Sequence, residues 1–191
     1  MKYISIVITF LVTLNSYSQK HQGTITLIDG TVITGIIKVT DNLFKYQQNE
    51  NSETIKYDYT TAIAATFTNN KNEEMKFEFV YVDYKEKPFL LEIVKDGFLK
   101  LYVQDSSHFT SNVGFGINTR TVLTYFLKRT TDKLGQYFIA VGYLPKIPFD
   151  KVIESYFTDC PLLQQKVASG EFKKKHMEEI VKFYNENCAP K

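Results

Sequence analysis

The side chains that could carry chemistry are few, and their spacing argues against most of it. Ser106 and Ser107 stand beside His108, the residue types from which a hydrolase draws a nucleophile and a base. Neighbours in sequence diverge, and no strained nucleophile turn or oxyanion donor accompanies them, so a polar loop is expected there. The three histidines are His21, His108 and His176, none at helical ligand spacing from another. His176 and Glu179 share a helix face, but two ligands fall short of a metal site, and no alternating acidic run resembles a calcium loop. Gly114, Phe115 and Gly116 lack the strand-to-helix setting that turns a glycine pair into a phosphate cradle. No catalytic residue, metal ligand or cofactor is assigned.

Two cysteines, Cys160 and Cys188, are the whole thiol complement. In an oxidising compartment they can form one bridge; the alternative is two buried thiols packed as small apolar groups. Each ends an apolar helical stripe, which favours the bridge. The 13 Tyr and 15 Phe would suit carbohydrate stacking, yet Trp is absent and most of these rings fall on core faces, leaving Tyr46 and Tyr59 as surface candidates.

The compartment is read from the first segment, MKYISIVITFLVTLNSYS. It has a cation at Lys2, an apolar run from residue 3 to 14 and small residues at Ser16 and Ser18, the layout of a signal peptide cut between Ser18 and Gln19. The apolar run is too short for the ~20 residues that span a bilayer. After cleavage no membrane span is expected, and no cysteine lies at the cut for a lipid anchor. The leader holds one of the 23 basic residues and none of the 21 acidic ones, so 22 cations face 21 anions in what remains. Nucleic acid is disfavoured as a partner, because its phosphates call for a concentrated positive field. The only basic run, residues 173–175, is expected on the wet side of a helix.

The elements that must position these groups are mostly strands. Residues 23–39, GTITLIDGTVITGIIKV, read as a hairpin in which Asp29 and Gly30 supply the positive φ angles of a two-residue turn. That register buries Ile25, Leu27, Val32, Thr34 and Ile36, and a bulge at Gly35 would then bring Ile37 and Val39 inward. Strands are expected at 43–47, 54–57, 62–67 and 75–82, the last with Met75, Phe77, Phe79 and Tyr81 on one face. A second hairpin, FLLEIVKDGFLKLYV, turns at Asp96 and Gly97, residues 104–120 read as a long exposed loop, and 121–128 with 136–141 make a final strand pair.

Beyond residue 143 the period becomes helical. Phe149, Val152, Ile153, Tyr156, Phe157 and Cys160 share one face; a second helix carries Leu162, Leu163 and Val167 up to Gly170; a third, from about Phe172, carries Met177, Ile180, Val181, Tyr184 and Cys188. The fold class is α+β: an N-terminal β unit (19–85), a second β unit (86–145) and a helical segment (146–191) packed on the sheet, with a seam at the charged KEKP turn.

FLLEIVKDGFLKLYV, YFLKR, YFTDCPLLQQKV and IVKFYNENC, together with the opening hairpin, resemble an uncharacterised family of secreted Bacteroidota proteins. The resemblance covers most of the chain beyond the leader. It implies structural roles for Asp159, Cys160, Pro161, Tyr184, Asn185 and Cys188 and no catalytic residue. Some longer relatives continue into an outer-membrane β-barrel, a pattern from which this chain departs. Export combined with missing chemistry points to a non-enzymatic envelope or secreted module that contacts another envelope protein or a glycan. The alternatives are an envelope hydrolase with an acid and base brought together by folding, and a soluble partner of an outer-membrane barrel.

Overall fold

A computed structural model describes residues 21–40, 42–82, 85–105, 108–111, 117–120, 122–142 and 147–190, with the backbone alone for 108–111 and 117–120. The leader with its Ser18–Gln19 cut, Ser106, Ser107, the 114–116 turn and the His108 side chain lie outside what is described. The architecture is α+β, with twelve strands followed by three helices among the described residues.

Ten strands form one antiparallel sheet. They are β1 (His21–Leu27), β2 (Val32–Thr40), β3 (Leu43–Gln47), β4 (Ile55–Tyr57), β5 (Ala62–Thr68), β6 (Glu74–Val80), β7 (Phe89–Lys95), β8 (Leu99–Asp105), β11 (Leu123–Arg129) and β12 (Gln136–Val141), in the spatial order β12-β11-β8-β7-β6-β5-β1-β2-β3-β4. After β4 the chain returns to lay β5 along the free side of β1. The seam is bridged by strand pairing, since Phe77 to Val80 of β6 oppose Glu92 to Phe89 of β7. Residues 104–120 are not one loop. The described residues among them end β8 and pair β9 (His108–Ser111) with β10 (Ile117–Arg120) as a separate two-stranded antiparallel sheet.

The first hairpin corrects the two-residue turn. Thr26 pairs with Val32 and Ile25 with Ile33, one step off the expected register. Gly30 takes the left-handed conformation at φ +86 and Asp29 does not; Leu27 N–H bonds the Thr31 carbonyl, and Gly30 N–H the Leu27 carbonyl. This is a three-residue loop with its bulge inside the turn, so no second bulge is needed at Gly35, and β1 and β2 pair without interruption. A one-step slip exchanges the faces of the second strand: Val32 and Thr34 are exposed, Ile37 is buried, and Ile36 is buried on the face opposite Ile25. Gly35 is required for another reason. A Cβ there would lie 2.6 Å from the Tyr46 ring, which crosses it to donate from its hydroxyl to the Thr34 carbonyl. Tyr46 is thus buried, not a surface platform, and Tyr59 is half-buried with its ring 6.5 Å from that of Phe79.

On one face of the sheet Ile25, Ile37, Phe44, Ala65, Phe67 and Leu90 form a core under the first half. Its β3 and β7 sides are tied by Asn42, whose amide donates to the Pro88 carbonyl at 2.8 Å and accepts from Leu90 N–H. The opposite face carries Val80, Val82, Leu91, Tyr102 and Phe126. Met75, Phe77 and Phe79 pack as expected, but Tyr81 is exposed while Val80 and Val82 are buried on that opposite face.

The helices α1 (Phe149–Tyr156), α2 (Pro161–Ala168) and α3 (Met177–Asn187) pack on Leu99, Leu101, Leu127, Phe138 and Ile139. Val152, Ile153, Tyr156, Leu163, Ile180, Val181 and Tyr184 are buried there, each such apolar side chain contributing about 1.5–3 kcal/mol. Pro161 opens α2, where a missing N–H costs nothing, and Gly170 closes it at φ +78. Two expectations fail at this end. Leu162 is exposed, and residues 172–176 form a turn before α3, so the 173–175 cations precede the helix. Lys174 donates from this turn to the Ala140 carbonyl at 2.8 Å, blunting the outer strand β12, much as three-residue β4 with its exposed Lys56 blunts the other edge. Among the described residues no helix is long and apolar enough to cross a membrane.

Candidate functional site

Two constellations stand out, one closed and one open. The closed one gathers around Arg129 at the end of β11. Its Nε donates to Tyr184 Oη at 3.0 Å and its Nη2 to the Tyr156 carbonyl at 2.8 Å and Asp159 Oδ1 at 3.1 Å. The guanidinium lies 4.2 Å from the centre of the Tyr156 ring and 5.3 Å from that of Tyr184. Tyr184 donates to Asp159 Oδ2 at 2.6 Å and Tyr156 to Asp132 Oδ2 at 3.2 Å. Burial alone would lower the Arg129 pKa; the Tyr184 hydroxyl and the nearby phenol and carboxylate charges outweigh it, and the pKa rises. Burial also raises both phenols, so Tyr156 and Tyr184 stay neutral donors at neutral pH.

The residues singled out by the family resemblance meet here. Asp159 binds Arg129, Cys160 and Pro161 begin α2, and Tyr184 and Asn185 sit side by side on α3. Asn185 accepts from Leu99 N–H at 2.8 Å and donates to the Leu99 carbonyl at 2.9 Å. Gly97, at the turn of the β7–β8 hairpin with φ +152, leaves room for it, since a Cβ there would stand 2.4 Å from the Asn185 amide nitrogen. Cys160 and Cys188 are at disulfide distance, their Cα atoms 5.5 Å apart. The polar groups of this junction engage one another, so the arrangement rivets α2 and α3 to the sheet. Sequence reasoning missed Arg129, because nothing local to YFLKR marks it as the hub.

The open constellation is a groove of about 360 Å³ between the start of α3 and the sheet. Its walls carry Lys95 of β7, Tyr125 of β11, Lys175 of the preceding turn and Glu178, Glu179 and Lys182 of α3, with Leu101 and Met177 as apolar floor. Lys182 reaches Glu186 at 3.8 Å; among the described residues Lys95, Lys175, Glu178 and Glu179 make no ion pair. Burial raises the Tyr125 pKa, and the Glu178 and Glu92 charges add to it. Glu92 of β7 faces the same side of the sheet through its register partner Val103. Its carboxyl is pushed up by burial and then by the charge of Asp105, two positions along β8 from Val103 and on the same face.

Of the residues weighed for metal chemistry, His176 precedes α3 and its Nδ1 accepts from Lys173 N–H at 3.2 Å. No cluster of three metal-ligating side chains occurs among the described residues. A larger hollow of about 530 Å³ between α1 and α2 has Asp150 and Glu154 beside Ile153, Pro161 and Val167; the charges it offers are of one sign. Compared with family models, with curated proteins and with solved structures, the chain matches none.

Proposed function

We propose that this chain is an exported, non-enzymatic binding module of the cell envelope, whose ligand seats in the groove between α3 and the sheet. The observation that carries the reading is the groove itself, where charges of both signs converge over an apolar floor without neutralising one another. Pairing them within the chain would have been simple, since Glu178 and Lys182 are one helical turn apart on α3. The leader and the resemblance to secreted proteins support the compartment.

Crosslinking in intact cells tests the proposal, using the parent chain and a Lys95→Ala variant. A partner or glycan captured by the parent and lost from the variant supports it. Recovery of an unprocessed chain from the cytosol, or equal capture by both, overturns it.

A second reading rests on Glu92 and Asp105. A carboxyl with a raised pKa near a second carboxylate is the pairing from which acid–base hydrolysis draws its two roles, here on the same face of the sheet as Tyr125. Turnover of envelope glycans or peptides by the parent and its loss in Glu92→Gln would favour this reading.

A further inference from the structure

The groove's charge pattern carries more than the existence of a ligand. A neutral glycan has no group to answer five ionised side chains, and it seeks an exposed ring on which to stack; the one ring in the groove, Tyr125, is half-buried. A simple anion would be drawn to Lys95, Lys175 and Lys182 but repelled by Glu178 and Glu179, and a simple cation the reverse. A molecule carrying a carboxylate and an ammonium at a short separation satisfies both sets. The volume of about 360 Å³ is at the small end of the range for ligand pockets, and the Leu101 and Met177 floor accepts an apolar side chain between the charges.

We infer that the groove binds a short peptide with free ends, its carboxylate held by the lysines, its ammonium by Glu178 and Glu179, and a side chain resting on Leu101 and Met177. The inference rests on the groove being the binding surface. Tyr125, kept protonated, adds a hydroxyl donor for the carboxylate.

The test is a titration of the full mature chain, labelled with ¹³C at the methionine methyls, with alanyl-leucine. Met177, assigned by a Met177→Leu variant, lies in the groove, and Met75 lies in the distant core of the first half. The expected result is a saturable shift of the Met177 methyl with Met75 unmoved. Acetylating the amine or amidating the carboxylate should each weaken binding about tenfold or more, the loss of one charge-assisted contact. Lys95→Ala should reproduce the effect of amidation and Glu178→Gln that of acetylation; free leucine in place of the dipeptide tells whether a single amino acid suffices. No saturable Met177 shift up to tens of millimolar, or equal binding of the doubly blocked peptide, overturns the inference. If Met177 stays silent while crosslinking still captures a partner that Lys95→Ala loses, the binding module stands and the peptide assignment falls.

Discussion

The clasp between Asn185 and Leu99 allows a prediction in which two substitutions fail to add. Leu99 is fully buried, and the Asn185 amide satisfies both its N–H and its carbonyl. Asn185→Ala leaves both unpaired, at about 1–3 kcal/mol each; with Asp96 and Gly97 exposed beside them, water relieves part of this, so about 2–4 kcal/mol in all is expected. Gly97→Ala would set a methyl 2.4 Å from the amide nitrogen and 2.9 Å from the amide carbon. The amide can escape only by giving up both bonds, so this change costs a similar amount plus about 1–3 kcal/mol for a non-glycine residue at that φ. Once Asn185 is alanine there is nothing left to displace, and Gly97→Ala should cost the backbone strain alone. The double variant is therefore expected to be less destabilised than the sum of the singles by about 2–4 kcal/mol, the amide's contribution counted twice in that sum. Urea unfolding at neutral pH with the disulfide intact gives all four stabilities, provided the m-values agree. Single costs that add within about 0.5 kcal/mol, or an Asn185→Ala cost below about 1 kcal/mol, would refute the clasp.

Three further outcomes are expected. Arg129→Met strands the Asp159 and Asp132 carboxylates and should cost about 2–4 kcal/mol in thermal or urea unfolding, less than a fully buried network because Asp159 is 47% exposed; Arg129→Lys should not restore it, since an ammonium cannot reproduce the fork that spans Tyr184, the Tyr156 carbonyl and Asp159. Replacing Cys160 and Cys188 together by alanine should lower stability by about 3–4 kcal/mol, the chain-entropy value for a loop of 28 positions, and reductant should then leave the variant's unfolding midpoint unchanged while lowering that of the parent. Glu92 has a folded pKa above its ordinary 4.5, so the folded state holds that proton more tightly than the unfolded one, and stability from this group declines as pH rises from about 4.5 through the folded value. Glu92→Gln should accordingly match the parent in acid, exceed it at neutral pH and flatten the pH dependence of unfolding; equal stability at pH 7 would contradict the raised pKa.

Much of the sheet was legible because its residues are β-branched and aromatic and its turns are marked by Asp-Gly and Asn. Residues 43–47 and 136–141 appear as strands with the expected bounds. What failed did so for identifiable reasons. Asp-Gly suits both a two-residue turn and the last two residues of a three-residue loop, and the choice between them inverts every face of β2. Residues 104–120 lack the apolar alternation that marks a strand, so β9 and β10 left no periodic signal. The stretch from Phe172 to His176 has helical composition but is held as a turn, with His176 N–H bonding the Lys173 carbonyl. The groove is least legible of all: Lys95, Tyr125 and Lys175 come from three separate segments, the pairing of β7, β8 and β11 brings the first two to one wall, and the seating of α3 brings Lys175 to the other.

The two asparagines do the same physical work at opposite ends of the sheet. A side-chain amide presents one N–H and one carbonyl much as a backbone peptide does, so Asn42 serves Leu90 and Pro88, and Asn185 serves Leu99, where no strand is at hand. Such groups cannot be left empty, because a buried, unpaired peptide group costs about 1–3 kcal/mol, more than the bond's net gain. On α3 the arrangement has a further consequence. Tyr184 and Asn185 are consecutive and so point about 100° apart around the helix, one to Arg129 and the other to Leu99, while Cys188, one turn beyond Tyr184, meets Cys160. Two anchors about 100° apart and a third one turn along the helix fix both its rotation and its height. That fixed seating is what holds Glu178, Glu179 and Lys182, on the same rigid element, opposite Lys95 and Tyr125, so the closed junction positions the open groove without taking part in it.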